Sequence, residues 1–410
     1  MYLRNSFLAV LAFIIIAGCN NDNGLLTEDD YFIPVNKAEL VAKRIAGAFP
    51  GDNIITGNKI EIPLKDDIKQ HDPPAIKASF TIHDKTGKPT FHVINFEKGG
   101  YVILSADIRM GPVLSVSSVG FFEVKDEYPD GLRIWMSNIT ENIEILRAGN
   151  YEVDEVRKQE WEALLNIEQN DITTRKGTRD PLNKLTITDY KHIMHLEWNH
   201  HGEGYNDSVP HDCTNNPSGK AYAGCVPVTV GQILRHWEHP KSYEWDKMPA
   251  SHATPTTAKF LVDIGKDVDI YYTCNSGSGS YMDIGYALRT FYGYNAVNDI
   301  NYTYEKLKEE IDNLRPVVLN GPAGLHDGND INHAWICEGY MEYIIGISSR
   351  YTMESESKDN IEQSRRMLYM NWGWHEYNGW YSNERLINGA GRFFIRTMVK
   401  NIYPKEEETI

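Results

Sequence analysis

One run of apolar residues, directly after a glycine and a cysteine, constrains the fold of this chain more than any other stretch. Its apolar positions recur with the period of an amphipathic helix: Val226, Val230, Ile233, Leu234 and Trp237. Pro227 fits only the first turn of such a helix, because a proline further in would lose a needed backbone N–H. His239-Pro240 ends it. The pattern predicts a helix that begins at Cys225, just after Gly224, and runs into a core.

The position of Cys225 has two interpretations. At the start of a helix, unpaired N–H groups and the positive end of the dipole favour a thiolate over a thiol, and a cysteine nucleophile needs that arrangement. Most free cysteines, however, are small buried hydrophobic residues. Taken alone, the stretch favours the structural interpretation, so the functional one depends on partners elsewhere in the chain.

The overall composition sets the size and class of the protein. With 410 residues, 41% hydrophobic and 24% charged, the chain can form two or three globular domains. A formal net charge of −16 argues against a nucleic-acid partner and against electrostatic attraction to anionic lipid. No stretch has the spacing of metal ligands or a phosphate-binding glycine loop, so we expect no cofactor.

The N-terminal residues predict export. Arg4 precedes the apolar run from Phe7 to Ala17, and this order is typical of a secretory signal peptide. The run is too short for a spanning helix, which needs about 20 apolar residues. Cys19, which follows Ala17-Gly18, resembles the cysteine of the bacterial lipobox, and that resemblance implies lipidation of Cys19.

We therefore expect an exported bacterial lipoprotein of the outer membrane or cell surface. Residues 1–18 would be the signal peptide and residues 19–35 a polar tether, so acyl chains on Cys19 would anchor the protein to the membrane without spanning it. The alternative is a plain signal peptide with a chance cysteine at its end.

A polar, basic segment divides the rest of the chain. Residues 171–184 contain Arg175-Lys176-Gly177 and Arg179 in an otherwise acidic protein, which indicates an exposed linker, and proteolytic cleavage concentrates in such linkers. The region before it, 36–170, and the region after it, 185–405, each have the mixed pattern of an α+β domain.

Periodicity predicts the elements of both domains. The first is expected to contain a helix over 36–50, a hairpin of strands 90–96 and 101–105, β-structure over 113–116 and 120–122, and helices over 129–148 and 153–167. The second is expected to contain, besides the cysteine helix, helices over 257–265 and 281–291, strands over 315–320, 333–340 and 367–374, and a charged hairpin over 348–366. Helices precede strands there, which indicates segregated layers.

Four cysteines remain beyond the N-terminal segment: Cys213, Cys225, Cys274 and Cys337. An exported protein can form disulfides, but the spacing shows no framework. A Cys213–Cys274 bridge is one pairing that the sequence leaves open. If that pair forms and Cys225 stays reduced, one further thiol is left over.

A cysteine nucleophile also needs a base, and a third group that holds the base in the right tautomer. His333 begins an apolar strand after a glycine-containing run, which places it at a strand end facing a cleft; the alternative is a histidine that only caps the strand. Asn371 ends another strand and is suited to accept the second N–H of the imidazole under the indole of Trp372; the alternative is a turn asparagine.

Several motifs in this order carry a family resemblance. They are Gly224-Cys225-Val226 with Gln232-Ile233, Tyr243-Glu244-Trp245, Ser276–Ser280 followed by Tyr292–Asn295, His333-Ala334-Trp335 with Gly339, and Asn371-Trp372-Gly373-Trp374 with Gly379-Trp380-Tyr381. Together they resemble the streptopain family of papain-like cysteine peptidases over residues 195–400. The first half resembles the pro-domain of that family, chiefly from Gly100 to Asp107 and at Pro112-Val113-Leu114.

The resemblance implies an exported zymogen with an inhibitory pro-domain and a papain-like two-lobed catalytic domain, in which a helical lobe meets an antiparallel sheet. It makes Cys225 the nucleophile and His333 the base of a thiolate–imidazolium pair, with Asn371 orienting His333 and Trp372 covering that contact. The backbone N–H of Cys225 would help to bind the oxyanion. The implied substrates are proteins or peptides, and cleavage near Arg175-Lys176-Gly177 or Arg179 would release the inhibitor.

The sequence departs from the family pattern at several places: His200 stands where an oxyanion glutamine is usual, Pro227 and Val228 where small residues are usual, Asn332 where a glycine is usual, and His375-Glu376 where glycines are usual. Loss of one oxyanion donor typically lowers the rate by about 10²–10³. The alternative function is therefore a catalytically weak or inactive, surface-anchored binding protein on the same scaffold. A third interpretation makes the first domain a separate peptidase inhibitor.

Overall fold

A computed structural model describes the following residues: 31–46, 49, 60–63, 74–125, 128–165, 184–200, 202–274, 280, 282–321, 333–346, 364–384 and 394–406. Within these ranges the side chains of 60–63, 184 and 333 are not described. The predicted signal peptide, Cys19, nearly all of the predicted linker and most of the predicted hairpin over 348–366 lie outside the described residues. We call residues 31–165 the N-terminal region and residues 184–406 the C-terminal region.

Seven α-helices lie in the described part of the chain. They are α1 (Val35–Ile45), α2 (Asp130–Ala148), α3 (Glu155–Leu165), α4 (Cys225–Trp237), α5 (Pro255–Asp267), α6 (Ile284–Phe291) and α7 (Tyr304–Asp312). Short 3-10 helices cover Trp245–Lys247 and His375–Tyr377. The predicted cysteine helix and the predicted helix over 129–148 are therefore confirmed, and the expected face of α2 is buried: Trp135, Ile139, Ile143 and Leu146.

The strands form one antiparallel sheet. They are β1 (Ile60–Pro63), β2 (Ile76–His83), β3 (Pro89–Phe96), β4 (Tyr101–Ser105), β5 (Val113–Ser117), β6 (Lys184–His192), β7 (Tyr294–Asp299), β8 (Val317–Gly321), β9 (His333–Ile345), β10 (Arg365–Asn371), β11 (Gly379–Ser382) and β12 (Thr397–Pro404). Their order is β2-β3-β4-β5-β11-β10-β9-β8-β12-β7, and β6 pairs with β9 and with β1. The long strand β9 pairs with β8 along its first half and with β6 along its second.

The predicted hairpin in the N-terminal region is confirmed, because β3 and β4 are antiparallel neighbours joined by a turn. Gly99 and Gly100 in that turn have φ of +93° and +86°, which non-glycine residues rarely adopt. A Cβ at Gly100 would also lie 2.8 Å from the carbonyl oxygen of Ser117. Glycine is required there by both the backbone conformation and the close approach of the neighbouring strand.

Several predicted elements have different bounds, and one is absent. Residues 120–122 form no strand, because the side-chain amide of Asn95 bonds both the N–H and the carbonyl of Phe122. Helix α6 begins three residues later than predicted, where the Asp283 carboxylate caps it by accepting from the Tyr286 N–H. Strand β10 ends at Asn371 and not at residue 374, and helix α1 ends at residue 45 and not at residue 50.

Several elements were not predicted, chiefly the strands β2, β6, β7, β11 and β12 and the helix α7. Strand β6 contains Lys184, Asp189 and Lys191, so its sequence lacks a clear apolar alternation. Its register is set by pairing with β9, about 150 residues later in the chain. Such long-range pairing leaves little local signal in a single sequence.

The sheet crosses the predicted domain boundary. Strand β5 of the N-terminal region pairs with β11 of the C-terminal region, with Val116 opposite Trp380 and Ser115 opposite Tyr381. Helices cover both faces: α1 and α3 pack on one, while α2 and α4 pack on the other. The predicted α+β class is confirmed, and the predicted domain limits stay predictions.

The four cysteines within the described residues form one disulfide and two free thiols. Cys213 and Cys274 form a disulfide, which is the pairing that the sequence left open. Cys225 is partly exposed and Cys337 is buried, and burial raises the pKa of the Cys337 thiol well above its ordinary value. His211 lies close to the disulfide, but the two oxidised cysteines offer it no thiolate with which to share a metal ion. Among the described residues, no helix is long and apolar enough to cross a membrane.

Candidate active site

Cys225 is the first residue of α4, as predicted. The helix begins after Gly224, whose φ of +92° turns the chain into the first turn. No side chain caps this end of α4, and its first turn contains no acidic residue. The free backbone N–H groups and the positive dipole end of the helix are therefore available to a negative charge at the partly exposed Cys225 sulfur or close to it.

The backbone register places Asn371 at the same end of the sheet as His333. Asn371 is the last residue of β10 and lies opposite Ile336 of β9. Ile336 is three residues from His333, which begins β9 and lies opposite Gly321. Three residues of a strand span about 10 Å. The backbone positions thus agree with the predicted pairing of a strand-end histidine and a strand-end asparagine, although the pairing itself stays a prediction.

The amide of Asn371 is buried and extensively hydrogen-bonded. Its Nδ2 donates to the Leu196 carbonyl at 2.8 Å, to Gln232 Oε1 at 2.9 Å and to Glu338 Oε2 at 3.3 Å. Its Oδ1 accepts from the Gly373 N–H at 3.1 Å and from Gln232 Nε2 at 3.3 Å. These contacts hold the amide in one orientation.

Gln232 connects this amide to the helix that carries the cysteine. It follows Cys225 by seven residues on α4, which is about two turns and about 10 Å along one face of the helix. Gln232 is buried, and both ends of its amide bond Asn371. The cysteine helix and the end of β10 are therefore fastened to each other by a pair of side-chain amides.

Next to Asn371 lies a second pair of buried side chains, Glu338 and His192, for which no role was predicted. Glu338 Oε1 lies 3.0 Å from His192 Nε2, and both side chains are almost fully buried. The ring of His192 stacks on Tyr369, with centroids 3.9 Å apart. The sequence signal was the charge of Glu338 within the apolar strand Ile336–Tyr340, because a buried carboxylate requires a specific partner.

His200 is buried between the motif that contains Cys225 and the motif that begins at Asn371. Its backbone N–H donates to the Gly373 carbonyl at 3.0 Å, and its carbonyl accepts from the Ala223 N–H at 2.8 Å. Its ring lies 5.3 Å from that of Trp374. The structure therefore brings His200 between the turn that leads to Cys225 and the segment that follows Asn371, while its role as an oxyanion donor stays a prediction.

Trp372 is buried under the N-terminal region. Its indole lies 5.3 Å from that of Trp335, and the backbone N–H of Trp372 donates to Asn378 Oδ1 at 2.9 Å. Gly131, at the start of α2, lies directly on both indoles: a Cβ there would be 2.7 Å from ring atoms of Trp335 and of Trp372. Helix α2 therefore covers the strand ends that carry the predicted catalytic residues.

Further aromatic residues extend this contact. Trp135 of α2 packs edge-on against Tyr381 at 4.9 Å, and its indole N–H donates to the Ser382 carbonyl at 3.3 Å. We call this set the aromatic contact, and its members are Gly131, Trp135, Trp335, Trp372 and Tyr381. It joins α2 to three strand ends of the C-terminal region without any ion pair among its members.

A second contact between the two regions is made of charged groups. Arg365 of β10 donates to both carboxylate oxygens of Glu160 on α3, at 2.6 and 3.0 Å. Arg157 of α3 lies 2.8 Å from Glu384, which is also 3.4 Å from Arg365. We call these four residues, whose side chains are 3–14% exposed, the charge contact.

The pKa values of the two carboxyls of the charge contact are shifted in opposite directions. Burial raises the pKa of Glu160 above its ordinary value, and the nearby Arg365 and Arg157 only partly oppose this. Burial also acts to raise the pKa of Glu384, but Arg157 and Arg365 outweigh it and hold that pKa below its ordinary value. Glu384 is therefore ionised at neutral pH, with its carboxylate close to both guanidinium groups.

Both regions match families of known proteins. Residues 241–381 match the Peptidase C10 family, and residues 61–143 match the Spi protease inhibitor family. The first match contains His333, Asn371 and Trp372 but begins after His200 and Cys225. The second covers most of the described N-terminal region, including the start of α2.

The similar proteins are distant in sequence. The thiol protease/hemagglutinin PrtT of Porphyromonas gingivalis is 24% identical over 60% of this chain, which spans only 30% of the length of PrtT. Streptopain of Streptococcus pyogenes is 21% identical over 69% of this chain and 71% of its own length. A solved structure of a prointerpain A fragment from Prevotella intermedia is 18% identical, with a TM-score of 0.50, and covers 81% of this chain and 100% of the fragment.

The likeness to prointerpain A confirms the predicted fold, a papain-like domain preceded by an α+β domain. The family matches and the fold agree with the resemblance drawn from the sequence motifs. The chain therefore carries a Peptidase C10 domain preceded by a Spi inhibitor pro-domain.

Proposed function

We propose that the protein is a cysteine endopeptidase that is made as an inactive, lipid-anchored precursor. The observation that carries this proposal is the position of Cys225 at the uncapped N-terminus of α4, fastened through Gln232 to Asn371 at the strand end next to His333. Similarity to thiol proteases of the Peptidase C10 family supports it. Protein or peptide substrates follow from the same similarity.

In the proposed reaction, Cys225 as a thiolate attacks the carbonyl carbon of the scissile peptide bond, and the oxyanion lies against the N–H groups at the start of α4. The imidazolium of His333 gives its proton to the leaving amine as the C–N bond breaks, which leaves a thioester on Cys225. Neutral His333 then takes a proton from water, and the resulting attack releases the acid and restores the thiolate–imidazolium pair. Asn371 holds His333 in the required tautomer.

The N-terminal region would act as the inhibitor in the precursor. The match to the Spi protease inhibitor family and the position of α2 on Trp335 and Trp372 support this role. Cleavage within residues 171–184, after Arg175, Lys176 or Arg179, would separate the inhibitor from the peptidase. The third interpretation, an independent inhibitor, is less suited to a region that shares a sheet with the peptidase.

Thiol labelling tests the proposed nucleophile. After maturation of the full chain, iodoacetamide at neutral pH should label Cys225 selectively, and Cys225→Ser should abolish labelling, casein cleavage and self-processing. Cys337 provides the matched control, because burial and a raised pKa make that thiol unreactive, so Cys337→Ala should keep both labelling and activity. Casein cleavage by the Cys225→Ser protein would show that Cys225 is not the nucleophile.

A second candidate function is a catalytically weak or inactive binding protein on the same scaffold. His200, which stands in place of the family's oxyanion glutamine and packs on Trp374, favours it. The same experiment separates the two: absence of selective labelling at Cys225 in a folded, processed chain would support the binding protein. Labelling of Cys225 without measurable peptide hydrolysis would indicate a reactive thiolate with weak oxyanion binding, which is the effect expected of His200.

The anchor at Cys19 is part of the proposal and rests on the sequence alone. In a bacterial expression host with lipoprotein processing, the wild-type protein should incorporate a radioactive fatty acid and partition with membranes. Cys19→Ser should lose both properties. Equal incorporation by the two proteins would rule out Cys19 as the lipidated residue.

A further inference from the structure

We propose that Glu338 is a positioning residue of this site, whose buried carboxylate orients and polarises Asn371 and thereby stabilises the imidazolium of His333. The proposal rests on the peptidase function proposed above. It assigns a role to the chain of buried side chains His192–Glu338–Asn371, in which each link is a hydrogen bond.

The partners of Asn371 determine which way its amide points. The Glu338 carboxylate and the Leu196 carbonyl only accept hydrogen bonds, so they must face Nδ2. The Gly373 N–H only donates, so it must face Oδ1. Gln232 can serve either atom and serves both. Oδ1 is therefore turned away from the carboxylate, and it is the atom that would accept from the imidazole N–H in the proposed mechanism.

The charge of Glu338 strengthens that acceptor. A carboxylate at 3.3 Å from Nδ2 attracts the N–H dipole and shifts electron density towards Oδ1. Glu338, Asn371 and Gln232 are all about 1–2% exposed, so little solvent screens this interaction. An Oδ1 with more negative charge bonds a protonated imidazole more strongly than a neutral one, which favours the thiolate–imidazolium pair over the neutral pair.

His192 keeps the carboxylate in place. Its Nε2 bonds Glu338 Oε1 at 3.0 Å, while the other oxygen of the carboxylate faces Asn371. Stacking on Tyr369 fixes the plane of the His192 ring. One carboxylate oxygen bonds His192 and the other bonds Asn371, so the carboxylate cannot rotate without losing a hydrogen bond. The charge of Glu338 therefore has a fixed position relative to Asn371.

Other titratable groups surround Glu338 and contribute to its field. They come from β6 and the segment after it, from β9, and from β10 and the segment after it: His192, His195, Glu197, Cys337, Tyr369, His375 and Glu376. Glu338, His195, Glu197, His375 and Glu376 line a common cavity of about 210 Å³, one wall of which is Val119 and Gly120 of the N-terminal region. Because maturation changes that wall, the effect of Glu338 must be measured on the matured protein.

The pH dependence of Cys225 alkylation by the iodoacetate anion, which the imidazolium attracts, and of kcat/KM tests the inference. Each should follow a bell-shaped profile whose alkaline limb reports loss of the imidazolium proton. Glu338→Gln removes the charge and keeps the shape, so the imidazolium loses stabilisation and the alkaline limb should move to lower pH by about 0.5–1 unit. An adjacent carboxylate shifts a pKa by about 1–3 units, and the effect here is smaller because Asn371 lies between. Full-length chains are matured with a trace of wild-type enzyme, which is then removed.

Three further variants make the result specific. Glu338→Asp keeps the charge and should keep the wild-type alkaline limb, even where kcat falls. Glu310→Gln changes another buried glutamate of the C-terminal region, which bonds Arg315, and should leave the profile unchanged. In an Asn371→Ala background, Glu338→Gln should produce no additional shift, because Glu338 acts through Asn371.

The outcomes separate this inference from the proposed function. If Cys225 of the wild-type protein shows no bell-shaped alkylation profile, the peptidase function itself fails. If the wild type has that profile and Glu338→Gln shares it, only the positioning role fails. An alkaline limb that moves equally in Glu338→Asp, or that still moves in the Asn371→Ala background, would also overturn the inference. If Glu338→Gln does not fold, Glu338→Ser removes the charge in its place and should give the same shift relative to Glu338→Asp, and a shared profile would overturn the inference.

Discussion

The N-terminal region meets the C-terminal region through two contacts of opposite character. The aromatic contact joins α2 to the strand ends of the candidate site by close packing, with Gly131 lying on Trp335 and Trp372. The charge contact joins α3 to β10 by four ionised or ionisable groups, with Arg365 bonding both oxygens of Glu160. One contact lies directly over the candidate site, while the other lies at the opposite end of β10 from Asn371.

Because of this difference, we expect covering the candidate site and holding the N-terminal region in place to be separate tasks. Close packing of rings depends on shape and gives way gradually when a side chain is enlarged. A buried charge cluster depends on balance, and removing one member leaves another buried charge without its partner. We therefore expect the charge contact to contribute more to the free energy of unfolding of the full-length chain. We expect the aromatic contact to contribute more to blocking substrate access to the candidate site.

The largest expected effect is at the charge contact. Arg365→Met should lower the free energy of unfolding of the full-length Cys225→Ser precursor by about 3–5 kcal/mol, because Glu160 and Glu384 then share Arg157 alone. Denaturant unfolding measures this. The double variant Glu160→Leu/Arg365→Met removes both members of the bidentate pair and should recover most of the loss. A double variant that is as unstable as the single one would show that the pair does not act as a unit.

A smaller effect on stability, but a larger one on access, is expected at the aromatic contact. Gly131→Val places methyl groups where a Cβ alone would lie 2.7 Å from two indole rings, and such overpacking typically costs about 1–3 kcal/mol. In the otherwise wild-type full chain, self-processing followed by gel electrophoresis should begin earlier than in the unchanged chain.

The control for Gly131→Val is Glu144→Ala, which alters an exposed position of the same helix. It should leave both unfolding and processing unchanged. The comparison between the two contacts would fail if self-processing began earlier in Arg365→Met than in Gly131→Val. In that case the attachment of the N-terminal region, and not the packing of α2 over Trp372, would control access to the candidate site.

Local features of the fold were predictable from the sequence, and long-range ones were not. Helix α4 follows from its apolar period, its early proline and the His239-Pro240 stop, all within one short segment. The pairing of β5 with β11 joins Ser115 to Tyr381 and has no counterpart in local periodicity. Residues 120–122 were misassigned because their β-type composition was visible, while the bonds from Asn95 were not.

The candidate site shows the same limit. Cys225, Asn371 and Trp372 were predictable because each begins or ends an apolar run. Glu338, which bonds Asn371, and His192, which bonds Glu338, were assigned no role because their relation depends on the antiparallel pairing of β6 with β9. A charged residue in the middle of an apolar strand was the available signal, and it required a partner that only the folded chain identifies.

The pairing of β5 with β11 has a consequence for the protein after maturation. Release of the N-terminal region would turn β11, a strand of four residues, into the outer strand on that side of the sheet. Exposed strand edges invite pairing with other chains, and short edge strands are one way in which proteins limit such association. The N-terminal region therefore covers this strand edge in the full-length chain, and after its release the short length of β11 would limit edge-to-edge pairing between copies.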